Sequence, residues 1–501
     1  NAELFVRFSA TFRGASPQVF AIAASLNGSP LALARCMVAV APGYVRHAPE
    51  TSLPYAVVAR EFQTFLMAQQ ERERDLPSFV EREFRAFLDC GVLSRGFVRV
   101  HCSGCGFDRV VAFSCKKRGW CPSCGGRRMA QTAAHLVDSV LPDVAVRQWV
   151  LSVPHALRYR IAYRPELLSA TMRIFSRVVF QLLRRRAAER GIPRGQCGAV
   201  TFVQRFGSAL NLHPHGHMLV LNGVYAALPG EAPRFYPLPP PENRDVVWVA
   251  ETLARRLNTL GEDSNQDAGE PGLAGLYAAG INGRIATGER AGRRVQTAGA
   301  DGREEDAPLG PRCANVDGYS VHANVAVRAG DRKGLEALCQ YAARPPLSHD
   351  RLEQWPGGRL AYRMKTPWRD GSTHVVLYPG ELLERLAALV PRPRFHIIHY
   401  YGVLAPAAKW RPQIVPAEPK PACAHQEEKE PKQKNYRWAE LLARTFAVDV
   451  LKCPDCGGRM KIIAAIESPE VARKILDSMG IACRPPPLAP ARRSRQIEAD
   501  L

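Results

Sequence analysis

Residues 211–228 read NLHPHGHMLVLNGVYAAL, and how this stretch folds decides how the chain folds. From His215 onward the apolar run has the texture of a strand about to enter a core. Successive side chains of a strand point to opposite faces, so His215 and His217 share one face and Met218 and Val220 take the other. His213 has the same parity as the pair, but Pro214 interrupts the ladder beside it. Two imidazoles on one face can converge on one divalent ion. A single histidine there would more often be structural, so the rest of the chain has to supply the context.

Outward from this strand, 147–153 (RQWVLSV) and 198–206 (within GAVTFVQRFG) also read as strands, with an amphipathic helix over 165–187 between them. Strand alternation returns at 319–328 (YSVHANVAVR). A short helix, DRKGLEALCQYAARPP (331–346), follows and is stopped by two prolines. The βαββ…βα order predicts an α+β domain over 145–380: an antiparallel sheet with helices on one face. A hairpin follows at RLAYRMKTPWRDGSTHVVLYP, with Asp370-Gly371 in its turn. Residues from about 230 to 316, rich in Gly, Ala and Asp toward their end, read as an insertion. Before this domain, 51–142 is helical and cysteine-bearing, and residues 1–50 form an extension of weak periodicity. After it come a helical segment and Pro/Lys/Glu-rich linker (381–436), a small module (437–482) and a basic tail (483–501).

Sixty-eight Lys and Arg against 47 Asp and Glu give a net charge of +21, which suits a polyanionic partner, nucleic acid first. No run approaches the roughly 18 apolar residues of a spanning helix, so no membrane partner is expected. The 14 cysteines are clustered and not spread as a disulfide framework, which points to metal sites in a reducing, cytoplasmic setting. Cys102-x2-Cys105 and Cys121-x2-Cys124 are two knuckles able to supply four thiolates to one structural zinc, provided the intervening residues form a hairpin. Buried reduced cysteines are the alternative. Cys115 is surplus to this set, with His101 and His135 as weaker stand-ins. Cys453 and Cys456 make half a site; Cys423, His425 or Cys483 could complete it, and none has knuckle spacing. Lys116, Lys117, Arg118, Arg127 and Arg128 would give the zinc module a basic face for phosphates, or a solvated surface.

On the 331–346 helix, Leu335, Leu338 and Ala342 form a stripe with Tyr341 beside it. A phenol has a reference pKa near 10, so nucleophilic use requires help from a cation or a metal-bound phosphate. Arg344, Arg363 and Lys365 are the candidates. A half-buried structural tyrosine is the plain alternative.

Taken in order, the cysteine knuckles, VRQWVLSVPHALRYR, HPHGHMLVLNGVY, LCQYAARPPLSHDRL, YRMKTPWRDGSTHVVL and YYGVLAPAAKWR resemble the rolling-circle transposases of the insertion sequence 91 family from about residue 55 to 482. The resemblance implies an N-terminal zinc module before a nuclease domain of the HUH type, named for its His–hydrophobic–His ligands. Those ligands map to His215 and His217, with Gly216 between them, and the nucleophile to Tyr341; read from the residues, Lys365 is the catalytic cation beside it. Two-tyrosine members carry a second tyrosine four positions on; Pro345 stands there, so this chain looks like a single-tyrosine member. The implied activity is cleavage and rejoining of single-stranded DNA at element ends through a 5′-phosphotyrosine, with Mg²⁺ or Mn²⁺ on the histidines. His322 is a third-ligand candidate or a structural histidine, Arg344 a DNA contact, and Trp120 and Trp368 either stacking platforms for bases or ordinary core aromatics. No G-x-x-x-x-G-K-[ST] loop is present, in keeping with a reaction that spends no nucleotide. Two other classes remain open on the residues: a zinc DNA-binding protein without catalysis, and a zinc hydrolase.

Overall fold

Residues 48–261, 270–299, 310–368, 370–416, 449–481 and 487–492 are described by the structure, a computed structural model. The extension is therefore almost wholly outside the described residues, as are Cys423, His425 and Cys483 and most of the linker and tail. Helices α1 (Leu53–Gln70) and α2 (Ser78–Asp89) carry apolar side chains at helical spacing. Phe84 and Phe87 close on Trp120, with ring centroids 5.0 and 4.5 Å away. Trp120 is fully buried. It is a core aromatic and not a stacking platform, because its faces are already covered; Trp368 is exposed. The hairpin β1 (Phe97–His101) and β2 (Asp108–Ala112) follows. Then comes α3 (Pro122–Ser139), opened by Pro122 where a missing N–H costs nothing.

The elements of the main sheet come next: β3 (Val146–Ser152), α4 (His155–Tyr163), α5 (Pro165–Ala188), β4 (Gly198–Phe206) and β5 (Leu212–Leu221). A two-stranded ribbon, β6 (Gly223–Ala226) and β7 (Arg234–Pro237), leads to α6 (Asn243–Asn258), α7 (Pro271–Ile281) and β8 (Gln296–Ala298). Strands β9 (Cys313–Val316), β10 (Tyr319–His322) and β11 (Ala326–Val327) precede the tyrosine helix α8 (Arg332–Ala343). Then follow β12 (Leu352–Gln354), β13 (Leu360–Arg363), β14 (His374–Leu377), α9 (Pro379–Leu389) and β15 (Ile398–Gly402). Strand β16 (Lys461–Ile466) and helix α10 (Pro469–Ser478) complete the order.

The chain is α+β. The main sheet has seven strands in the order β15-β4-β5-β3-β10-β9, with β11 also on β3, and its pairings are antiparallel. Every residue of β4 is buried, which requires cover on both sides. Met218 and Val220 pack with Met172 and Phe175 of α5 and Val246 and Val249 of α6. Leu219 and Leu221 pack with Leu136 of α3 and Leu335 and Leu338 of α8. Helices therefore cover both faces, not one. The second face is covered by α3, which precedes the sheet and reads in sequence as part of the zinc module.

The described parts of 230–316 are not a loose insertion. The start of α6 is held by a capping box between Glu242 and Asp245, and its apolar stripe completes the sheet's core. Likewise β16 pairs with β1, and Ala472 and Leu476 of α10 pack on Leu93, Phe97 and Val110. The last described module thus adds a strand to the first hairpin. No helix among the described residues is long and apolar enough to cross a membrane.

Truncating Trp120→Ala should cost about 3–5 kcal/mol, since it empties an aromatic site that nothing else fills. A urea titration monitored by circular dichroism reads this directly; a change within 0.5 kcal/mol, the rough range of surface substitutions, would place the ring outside the core.

Candidate active site and cysteine centres

Register places the histidines at the centre of the sheet. His217 faces Val150 of β3 and Phe202 of β4, and His215 faces Ser152 and Gln204. Both side chains share the parity of Leu219 and therefore look toward α8. Their Nε2 atoms are 3.0 Å apart. The Nδ1 of His215 lies 2.7 Å from the carbonyl of His213, so it carries the proton and its Nε2 keeps a lone pair. The Nδ1 of His217 lies 2.6 Å from the Gln148 amide, whose Oε1 is buried and has no partner. Turned over, that amide accepts from the His217 Nδ1–H and frees the second Nε2 as well. With the amide donating, the His217 Nε2–H donates to His215 Nε2; with the amide turned over, two lone pairs face each other at 3.0 Å, an arrangement that fits a divalent metal. Burial holds both rings neutral, His215 down to about 4 and His217 well below the ordinary histidine value.

The neighbouring histidines stand differently. The His213 ring lies tilted 43° to that of His215 with centroids 5.1 Å apart, and its Nε2 is buried without a hydrogen-bond partner. His322 lies on the same face, but Val150 separates it from His217 in the sheet. Among the described residues, only two cysteine tetrads gather three or more metal-ligating side chains. His322 is therefore not assembled with the pair as a third ligand.

Helix α8 brings Tyr341 to the histidines. Asp331 caps its start by accepting from the Gly334 N–H. Its end is tied to the sheet by Gln204, whose amide donates to the carbonyls of Tyr341 and Ala342 at 3.2 and 2.8 Å. The Tyr341 ring stands edge-on to His217, with centroids 5.5 Å apart. The Arg344 guanidinium lies 4.6 Å and the Lys365 ammonium 4.0 Å from the Tyr341 ring centroid. Desolvation, followed by the charges of Arg344 and Arg351, pushes Lys365 down to about 7, although the residue as a whole keeps exposed surface. Burial of the ammonium and the two neighbouring guanidiniums act in the same direction. Arg363 points elsewhere and donates to the Asp350 carbonyl.

The cysteines regroup. Cys102 and Cys105 sit at the tip of the β1–β2 hairpin, while Cys121 and Cys124 open α3 near its base. A five-residue strand spans about 15 Å, so the hairpin separates the two pairs it was expected to join. Cys121 and Cys124 instead meet Cys90, at the end of α2, and Cys115, after β2. Sγ separations are 3.6 Å for Cys90–Cys124, 3.3 Å for Cys115–Cys124 and 3.7 Å for Cys90–Cys121. Four thiolates at 2.3 Å from one zinc lie about 3.8 Å apart, close to these values. Hydrogen bonds from Cys115, then from Cys121, hold Cys90 and Cys124 below the ordinary thiol value, and contacts within the same set push Cys115 and Cys121 above it, so the four thiols share their protons. Cys102 and Cys105 meet Cys453 and Cys456. Cys90 carries no spacing signal in the sequence, and Cys115, surplus to the two knuckles, is the one residue that points away from joining them.

Of the basic residues near the first tetrad, Lys116, Arg118 and Arg127 are exposed. Arg128 donates to the carbonyls of Lys116 and Lys117, each at 3.1 Å, and Arg118 to that of Phe395 at 2.7 Å. These two arginines hold a loop and a domain contact as well as carrying charge.

Comparison with known families places the chain in a DNA-processing class. The chain matches the transposase family Y2_Tnp ("Putative transposase") over residues 198–411 and the "Transposase zinc-binding domain" of insertion sequence 91 over residues 60–153. It belongs to the insertion sequence 91 family of transposases. No curated protein and no solved structure matches it.

Replacing Cys90 by Ser should release the zinc of the first tetrad, and Cys115→Ser should do the same. Metal analysis of the purified variants decides this; unchanged zinc in both would restore the set drawn from spacing alone.

Proposed function

We propose that this transposase cleaves and rejoins single-stranded DNA at element ends through a covalent 5′-phosphotyrosine at Tyr341, on an HUH-type nuclease domain. The observation that carries the proposal is the placement of the Tyr341 ring beside His217, with Lys365 and Arg344 over its face. His215 and His217 would hold Mg²⁺ or Mn²⁺, which supplies charge to a non-bridging phosphate oxygen. Tyr341 Oη attacks phosphorus, the P–O3′ bond breaks, and the phenolic proton is returned through solvent to the departing 3′-oxygen. Charge from Lys365 and Arg344 favours the phenolate as it forms. The reverse attack by a 3′-hydroxyl restores the phosphodiester and frees Tyr341, so one tyrosine suffices for each transfer. Position 345, where a second tyrosine would stand, is a proline packed against α3: a Cβ on Gly125 would lie 2.5 Å from its Cβ.

Labelled single-stranded DNA from the element end, incubated with Mn²⁺ and run on a denaturing gel, tests the reading. A covalent band is expected that disappears with chelator and in Tyr341→Phe, with DNA affinity kept. Cleavage without an adduct would mean water is the nucleophile, and binding with neither product would mean a protein that only holds DNA.

The role of Lys365 has its own signature. Its ammonium loses its proton as pH rises through about 7. Lys365→Arg remains charged, so the ratio of wild-type to variant adduct rates should fall between pH 6 and 8.5. A ratio that stays flat would remove Lys365 charge from the reaction.

A further inference from the structure

The second tetrad lies outside the matched zinc-binding domain by half: Cys453 and Cys456 follow residue 411, where the last family match ends. We propose that Cys102, Cys105, Cys453 and Cys456 form a second structural zinc site, a zinc ribbon assembled from two segments about 350 residues apart in sequence. Three independent features support it.

The first is the ligand geometry. Cys102 and Cys456 Sγ atoms are 3.5 Å apart, as are those of Cys105 and Cys453, and all four lie within 4.8 Å of one another. The second is that the two knuckles are built alike. In one, the Cys102 N–H donates to the Phe107 carbonyl and the Gly106 N–H to the Cys102 carbonyl, both at 2.9 Å. In the other, the Cys453 N–H donates to Gly458 at 2.9 Å and the Gly457 N–H to Cys453 at 3.1 Å. Gly106 and Gly457 hold φ of +78° and +70°, the left-handed turn each knuckle needs after its second cysteine. The third is the sheet that a ribbon requires. β16 adds to the β1–β2 hairpin as an antiparallel third strand, and Val100, Met460 and Phe107 pack beneath the sulfurs.

A closed four-thiolate site leaves no position for water, so this zinc fastens the C-terminal strand to the N-terminal hairpin and does no chemistry. It also differs from the first in accessibility. Cys105 and Cys456 are exposed, whereas Cys90, Cys121 and Cys124 are buried.

The test reads metal and not DNA cleavage. The full chain should contain about two zinc equivalents. A chelating dye should withdraw them in two phases of equal size, the exposed site first. In the double variant Cys105→Ser, Cys456→Ser, which touches no buried ligand, one equivalent and the fast phase should be lost while the slow phase remains. Cys90→Ser should lose the slow phase. Cys456→His, which keeps four ligands, should retain both equivalents and so separates ligand loss from misfolding. One equivalent in the wild type, two in the double variant, or a double variant that loses both, would each overturn the proposal.

Discussion

Burial of β5 on both faces is the constraint on which the rest of the structure depends. Hydrogen-bonded to β3 on one side and β4 on the other, and covered by α5 and α6 below and α3 and α8 above, it cannot slide. A slip of one residue would turn both imidazoles toward α5 and put apolar side chains under the tyrosine helix. Gly216 belongs to the same constraint. A Cβ there would stand 2.6 Å from the Met172 sulfur, so the missing side chain is what lets α5 close directly on the strand between the two histidines.

The surroundings of Tyr341 work against the folded state when nothing is bound. Lys365, Arg344 and Arg351 crowd one corner, where desolvation, and after it the charges of the two arginines, holds Lys365 below the ordinary lysine value. Local choices that oppose stability mark places shaped by function. A phosphate in this corner would neutralise the repulsion, which is what the proposed cleavage asks of it. The net charge of +21 extends the same preference over the molecule.

The cysteine centres solve a different problem. The β1–β2 hairpin is short and two-stranded, and such ribbons are marginal alone. It gains a third strand from β16, a helix from α10, and a tetrad at each end, one around Cys90 and one around Cys453. The hairpin is thereby held to the main sheet through α3 at its base, and to the 449–481 module at its tip. Arg128, donating to the carbonyls of Lys116 and Lys117 beside Cys115, and Arg118, donating to that of Phe395, couple the basic surface to this frame.

Much of this was legible in the residues. Alternation placed His215 and His217 on one face, the apolar runs at 147–153 and 198–206 are strands, and the 331–346 segment is a helix carrying Tyr341, because periodicity and proline stops act locally. The α+β class follows from their order. Which cysteines meet was not legible: Cys102, Cys121 and Cys453 each open a C-x2-C-G unit, so spacing favours no pairing over another. Only the hairpin's length keeps the first two apart. Nor could local pattern say that α3 covers the second face of the sheet, that α6 belongs to its core, or that Gln148 and Gln204 orient the histidine and tyrosine. Local periodicity determines what each segment is; which segments share a sheet, a metal or a proton is decided by packing between residues far apart in the chain.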